Sequence, residues 1–139
     1  MSMYPEMMIA PMRQELTRLG VRELRTADEV EQSLADTSEP TLQVVNSMCG
    51  CAARNARPAV AMALQNEKKP PRQVTVFAGQ DPEATAAARQ HIHGYAPSSP
   101  SIALLKDGDV AFMLERHQIE GRSADAIADD LVRAFEMYC

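Results

Sequence analysis

Apolar residues recur along this chain at two periods, and each switch between them marks an element boundary. Met12, Leu16 and Leu19, spaced by four and three, form one face of a helix over 11–19. Pro11 suits its first turn and Gly20 a left-handed stop. Val21–Leu24 is a short strand candidate. Thr26 followed by Glu29 predicts a capping box, with Val30 and Leu34 as the buried stripe of a helix to about Asp36. Ser38-Glu39-Pro40 ends it. Thr41–Asn46 is β-branched and apolar enough for a buried strand, and it runs directly into Ser47-Met48-Cys49-Gly50-Cys51. The alanine-rich stretch 52–66 is helical, with a kink expected at Pro58. Gln73–Ala78 is a second strong strand. Pro82–His91 follows as a helix with Asp81 as its cap. Ser101–Lys106 and Val110–Leu114 are strands joined through Asp107-Gly108, a hairpin signal. Ser123 caps a last helix whose inner side carries Ile127, Leu131, Val132 and Phe135.

The order helix, β, α, β, α, β, α, β, β, α belongs to the α/β class. It predicts a central mixed five-stranded sheet flanked by helices on both faces, with an extra N-terminal helix. No repeat or linker divides the 139 residues, so one domain over 1–139 is expected.

Composition narrows the function classes. A net charge of −5 argues against a nucleic-acid binder, which needs a basic face to neutralise phosphates. No apolar run approaches the roughly 20 residues of a membrane-spanning helix. The start, MSMYPEMMIAPMRQEL, does not read as a secretory signal, which points to the cytoplasm. Three cysteines are too few for a disulfide-stapled scaffold, and in a reducing compartment a close pair is reactive or metal-binding rather than structural. Five of the nine methionines precede residue 13. Adaptable packing on a helix accounts for them more simply than a copper-binding cluster does.

Cys49-Gly50-Cys51 lies where a buried strand meets the start of a helix. There the free backbone N–H groups and the helix dipole favour negative charge, so a thiol ionises more easily, and the thiolate is the attacking species in disulfide exchange. Cys49 is the expected nucleophile and the exposed member of the pair; Cys51 is placed to resolve a mixed disulfide formed on it. Gly50 would let the backbone bend so that the sulfurs meet. A disulfide across one residue departs from relaxed geometry, which makes it labile rather than structural. Arg54 and Arg57 could add positive potential.

The rival reading of the pair is a soft-metal site for copper or zinc, with His91, His93, His117 or Cys139 as further ligands. His91 and His93 do not share a helical face, and no second cysteine pair exists. We therefore assign no metal and no resident cofactor. Ser98-Ser99-Pro100-Ser101, just before a strand, is the second feature. A proline that starts a strand facing the cysteines is expected to be cis, and Ser99 would then offer its backbone to an extended substrate segment.

This order of elements, with a cysteine pair at a strand-to-helix junction and a proline about fifty residues later, resembles the thioredoxin fold. It is more similar still to the bacilliredoxins, which carry Cys-Gly-Cys. The similarity is carried by Val44–Ala53, Asn55–Ala59, Val74–Asp81, Ser98–Leu105 and Arg116–Gly121. The resemblance implies a thiol–disulfide oxidoreductase that removes a low-molecular-weight thiol, bacillithiol, from client protein cysteines. Bacillithiol would be a co-substrate and a separate disulfide reductase the recycling partner. Isomerase activity is a further implication. Ser99 and Pro100 would form the substrate loop, and Glu115-Arg116-His117 would meet the small thiol through its charges. No tryptophan precedes the cysteines and there is no Cys-Gly-Pro-Cys, which points away from a standard thioredoxin reductase. Gln43 and Val44, on the strand leading to the pair, supply no buried carboxylate as a proton relay. Cys139 is expected at a frayed, exposed terminus.

Overall fold

The computed structural model describes residues 4–139. In chain order the elements are α1 (Glu6–Thr17), β1 (Arg22–Glu23), α2 (Ala27–Leu34), β2 (Thr41–Asn46), a π-helical segment (Ala52–Ala56) leading into α3 (Arg57–Ala63), β3 (Arg72–Phe77), α4 (Pro82–Arg89), β4 (Ser101–Lys106), β5 (Asp109–Leu114), α5 (Arg116–Ile119) and α6 (Ala124–Tyr138). The sheet order is β1-β3-β2-β4-β5. β1, β3 and β2 run parallel; β4 and β5 pair antiparallel.

β2 is buried at every position because it sits at the centre of the sheet with helices on both sides. Its alternation sends Leu42 and Val44 into one core, with Leu16, Val60, Ile102, Leu104, Ile127, Leu131 and Phe135. Val45 enters the other, with Val30, Leu34, Val76, Ala88 and Leu105. Thus α1, α3 and α6 cover one face, and α2 and α4 the other. The expected mixed five-stranded sheet with flanking helices is what forms.

Several local expectations hold. The capping box of α2 is present, with the Thr26 hydroxyl accepting from the Glu29 amide and the Glu29 side chain reaching back. Ser123 caps α6 through the Ala126 amide, 3.1 Å away. Asp107 and Gly108 both take positive φ, 56° and 79°, the conformation that a two-residue hairpin turn needs.

Others are corrected. The first helix begins at Glu6, so Pro11 lies inside it rather than in its first turn. The lost hydrogen bond falls on an exposed side, and α1 is held by a buried charge instead. Arg13, only 5% exposed, reaches Glu6 (2.6 Å), Asp81 (2.7 Å) and Glu23 (3.1 Å) and lies over the Phe77 ring. That contact also explains why Asp81 makes no side-chain cap for α4: its carboxylate is taken by Arg13. The irregularity expected at Pro58 lies one turn earlier. Pro58 has no N–H to offer the Arg54 carbonyl, and the helix widens so that the Arg57 amide reaches Ala52 O. Met7 and Met8 are exposed, so packing does not account for them; Met1 and Met3 lie outside the described residues. Cys139 is half-buried against the core, and its amide bonds Phe135 O at 2.9 Å, so the terminus is docked rather than frayed. α5 was not expected.

Among the described residues no helix is long and apolar enough to cross a membrane.

Candidate active site

β2 ends at Asn46, and the helical run that contains the π segment begins at Gly50. Between them, Cys49 takes the place of a cap: its carbonyl accepts from the Ala52 and Ala53 amides, at 3.1 and 3.2 Å. The connection is fixed from beneath by Arg57, which is 2% exposed. Its Nη1 donates to Asn46 Oδ1 (3.0 Å) and to the Ser47 carbonyl (2.8 Å). Asn46 Oδ1 also accepts from the Ser47 amide at 2.9 Å, and its Nδ2 donates to Met12 O. Arg57 Nε lies 3.1 Å from Glu15 Oε1, an ion pair without hydrogen-bond alignment. Arg57 is therefore a buried bracket under the cysteine loop and not an exposed source of potential.

Both thiols are free and half-buried, so the expected contrast in exposure is absent. Their difference is electrostatic. Burial pushes the Cys49 thiol up, but donors to its sulfur outweigh that and leave its pKa lowered. They are the Ser47 hydroxyl, 3.3 Å away, the amides of Ala52 and Cys51, and the Cys51 thiol. Cys51 is raised, by its own partial burial and then by the charge of Cys49. Two sulfurs in hydrogen-bond reach thus divide into one that ionises easily and one that keeps its proton. We expect Ser47→Ala to move the pH midpoint of Cys49 alkylation by iodoacetamide upward, because one of the donors to the thiolate is lost. A midpoint unmoved or lowered would show that the hydroxyl does not stabilise it.

Gly50 is absent from the positive-φ glycines, and with both thiols free its backbone continues the helical run. A Cβ there would meet Arg54 Nη2, the far end of a flexible side chain, at 2.6 Å. Arg54 is exposed and lies over this position.

The Ser99-Pro100 peptide bond is cis, as expected, and Pro100 is buried. The Val45–Ser101 pair in the β2–β4 register brings this loop alongside the end of β2. An open groove of roughly 390 Å³ results, lined by Tyr4, Ser47, Met48, Cys49, Ser99 and Arg116 among others. Arg116, at the start of α5, ties the groove together. Its amide donates to Ser98 Oγ (3.3 Å) and its Nη1 to the Ser99 carbonyl (3.2 Å), while Nε pairs with Glu120 Oε2 (3.2 Å). Cys51 Sγ lies 3.9 Å from Arg116 Nη2 and 3.7 Å from Glu120 Oε2.

The structure therefore brings Cys49, Cys51, Gly50, Arg54, Ser99 and Pro100 to one end of the sheet. Of the expected Glu115-Arg116-His117 loop, Arg116 borders the groove and Cys51, while His117 is exposed and makes no hydrogen bond to either cysteine. Ser47 and Glu120 were not singled out in the sequence, although a serine two before the cysteine and an Arg116/Glu120 spacing of four are both visible there. The residues considered as metal ligands are dispersed. His91 pairs with Glu31 (3.2 Å) and His93 approaches Asp109 (3.9 Å). No group of three or more His, Cys, Asp or Glu among the described residues is placed to hold a metal ion.

The chain is similar to known proteins over nearly its whole length. A family model described as disulphide isomerase matches residues 4–139. A bacilliredoxin of Salinibacter ruber is 56% identical over 138 residues, covering 98% of this chain and 81% of that protein. Bacilliredoxins of Koribacter versatilis and Geobacillus kaustophilus are 51% and 50% identical, each over 137 residues and 94% of their own length, and cover 99% and 98% of this chain. Among solved structures, a protein with a thioredoxin fold superposes with a TM-score of 0.62 at 15% identity, over 82% of this chain and 92% of its own. Thioredoxin O2 of Arabidopsis thaliana in its oxidised state gives 0.56, also at 15% identity, over 85% of this chain and 96% of its own. At that identity the likeness establishes the thioredoxin fold.

Proposed function

The chain belongs to the bacilliredoxin family, and from that premise we propose that it reduces mixed disulfides between protein cysteines and bacillithiol, Cys49 attacking and Cys51 resolving. The family and the fold make it a thiol–disulfide oxidoreductase. Bacillithiol as the thiol, the cytoplasm as the compartment, cysteine-bearing clients and a recycling disulfide reductase are parts of the proposal.

The observation that carries the reading is a Cys49 sulfur ringed by donors at the mouth of a helix, beside an open groove. The Cys49 thiolate attacks the small-thiol sulfur of the mixed disulfide. A Cys49–thiol bond forms, the client–thiol bond breaks, and the client sulfur leaves as a thiolate that takes a proton from water. Cys51 then attacks Cys49 Sγ and expels the small thiol, which leaves a Cys49–Cys51 disulfide; a second bacillithiol could instead attack the adduct. Forming the internal disulfide costs the pair two electrons, which the reductase must return to restore both thiols. In this scheme an extended client segment lies along the Ser99-Pro100 loop and meets its backbone. Gly50 and Arg54 line the approach to the pair.

Cys51→Ser isolates the first half of the cycle. Incubated with a bacillithiolated client protein, this variant should gain the mass of one bacillithiol on Cys49 and stop there. No adduct, or an adduct on Cys139, would refute the assignment. Isomerisation is a second reading, favoured by the description of the matching family model. It predicts that the reduced protein restores activity to a scrambled multi-disulfide substrate without net reduction.

A further inference from the structure

A resolving thiol has to lose its proton before it can attack, and the Cys51 thiol is the one of the pair that holds its proton more tightly. The strand leading to the cysteines carries Gln43 and Val44 and provides no carboxylate to take that proton. A carboxylate reaches the same sulfur from another element, past the end of β5. Glu120, the residue that closes α5, places Oε2 3.7 Å from Cys51 Sγ, within the reach of a sulfur hydrogen bond. Arg116, four residues earlier, holds that oxygen through Nε at 3.2 Å while its Nη2 lies 3.9 Å from the sulfur. One oxygen and one guanidinium thus face the thiol together.

We infer that Glu120 is the catalytic base for Cys51, accepting its proton as the mixed disulfide on Cys49 is resolved, with Arg116 as the positioning residue. This rests on the reading of Cys49 as the attacking thiol. Cys51 gives its proton to Glu120 Oε2 and its sulfur lone pair to Cys49 Sγ. The Cys49–thiol bond breaks, and the departing thiolate carries away the bonding pair and recovers a proton from Glu120 or water. The two cysteines are oxidised to a disulfide, the bound thiol is reduced, and Glu120 ends as it began. Transfer turns a carboxylate beside a thiol into a carboxyl beside a thiolate, so negative charge moves about 4 Å without leaving Arg116, which faces both groups. Cys49, Arg116 and Glu120 are the groups whose charges bear on Cys51, with Arg54 nearby on the same helical run.

The test separates the two halves of the reaction. Reduced protein is mixed with excess glutathione disulfide, quenched in acid at intervals and weighed, so that the Cys49–glutathione adduct and the internal disulfide are each followed in time. Glu120→Gln keeps the size of the side chain and sits on the surface, so the fold is retained. Its adduct should form at the wild-type rate, but closure to the internal disulfide at neutral pH should slow by about tenfold or more. The deficit should shrink as pH rises and hydroxide takes over the proton. Glu120→Asp should recover part of the rate. Arg116→Gln, which leaves the base but loosens it, should slow closure less than Glu120→Gln does. Closure of Glu120→Gln at the wild-type rate, or a deficit independent of pH, would overturn the role given to Glu120. Absence of both the Cys49 adduct and the internal disulfide, in wild type and variant alike, would overturn the functional reading beneath it as well.

Discussion

Cys49→Ser should lose mixed-disulfide reduction by at least about a thousandfold, while its thermal melting stays at the wild-type temperature. Serine fills nearly the same volume, so the loop bracketed by Arg57 has no reason to move. What disappears is the one sulfur whose ionised form is favoured by three kinds of donor: a hydroxyl, backbone amides and a neighbouring thiol. A serine hydroxyl offered the same donors remains protonated at neutral pH and cannot form a disulfide. Cys51 cannot stand in for it. Cys51 faces Glu120 and Arg116 and lines no part of the groove, and its thiol is shifted upward where that of Cys49 is shifted downward. The measurement is release of bacillithiol from a charged client, followed by mass. Retention of even a tenth of the wild-type rate would mean that the attacking sulfur lies elsewhere in the chain.

The largest loss of stability is expected from Arg13→Ala, about 3–5 kcal/mol by chemical denaturation at neutral pH. Asp81 and Glu23 are 14% and 19% exposed; Asp81 would lose the cation that holds it and Glu23 would keep only the half-exposed Arg25, while the Phe77 ring would lose the guanidinium stacked over it. The same cluster gives the prediction a pH dependence of known sign. The hydrogen bond from Arg13 is the largest influence on the Glu6 carboxyl and holds its pKa at about 2, against 4.5 for the free group. A depressed carboxylate stabilises the fold fully above 4.5 and ceases to do so as pH falls toward 2. The stability gap between wild type and Arg13→Ala should therefore narrow over that interval. Glu6 is half exposed, so solvent screens its share of the effect. A variant within 1 kcal/mol of wild type would show that the buried cation is dispensable.

The parts of this fold that were legible in the sequence are those set by local rules. Thr41–Asn46 and Ser101–Lys106 match their strands to the residue, because an apolar β-branched run bounded by Pro40, Pro100 and Asp107-Gly108 has few other ways to lie. The Thr26/Glu29 cap and the Ser123 cap are local in the same sense. The misreadings involve partners far away along the chain. Nothing within a helical window around Pro11 reveals that Arg13 is held by Asp81, 68 residues on, while it also bonds Glu6 at the start of α1 and takes the cap away from α4. Likewise Arg57 reads as one more helical cation until the sheet puts Asn46 and the Ser47 carbonyl against it. In the site, the cysteine pair announced itself through its position, and the loop proline through its neighbours. Glu120 is 69 residues from Cys51, and no spacing rule links them. His117 and Arg116 are adjacent, and only the direction of the first turn of α5 decides which one faces the sulfur.

The pairing of β4 with β2 carries a consequence for how this molecule can vary. Val45 sits across from Ser101, and the next two steps put Val44 across from Ile102 and Gln43 across from Ala103. A slip of one residue would turn Ile102 and Leu104 out of one core and drive Ala103 and Leu105 into it, so the packing of the interior forbids it. That same alignment sets how far Ser99 and Pro100 stand from the sulfurs. The oily interior thus serves as the ruler for the catalytic end. Insertions should be tolerated in the loop before Ser98, whereas a single residue added between Pro100 and Ile102 would have to break either the core or the groove.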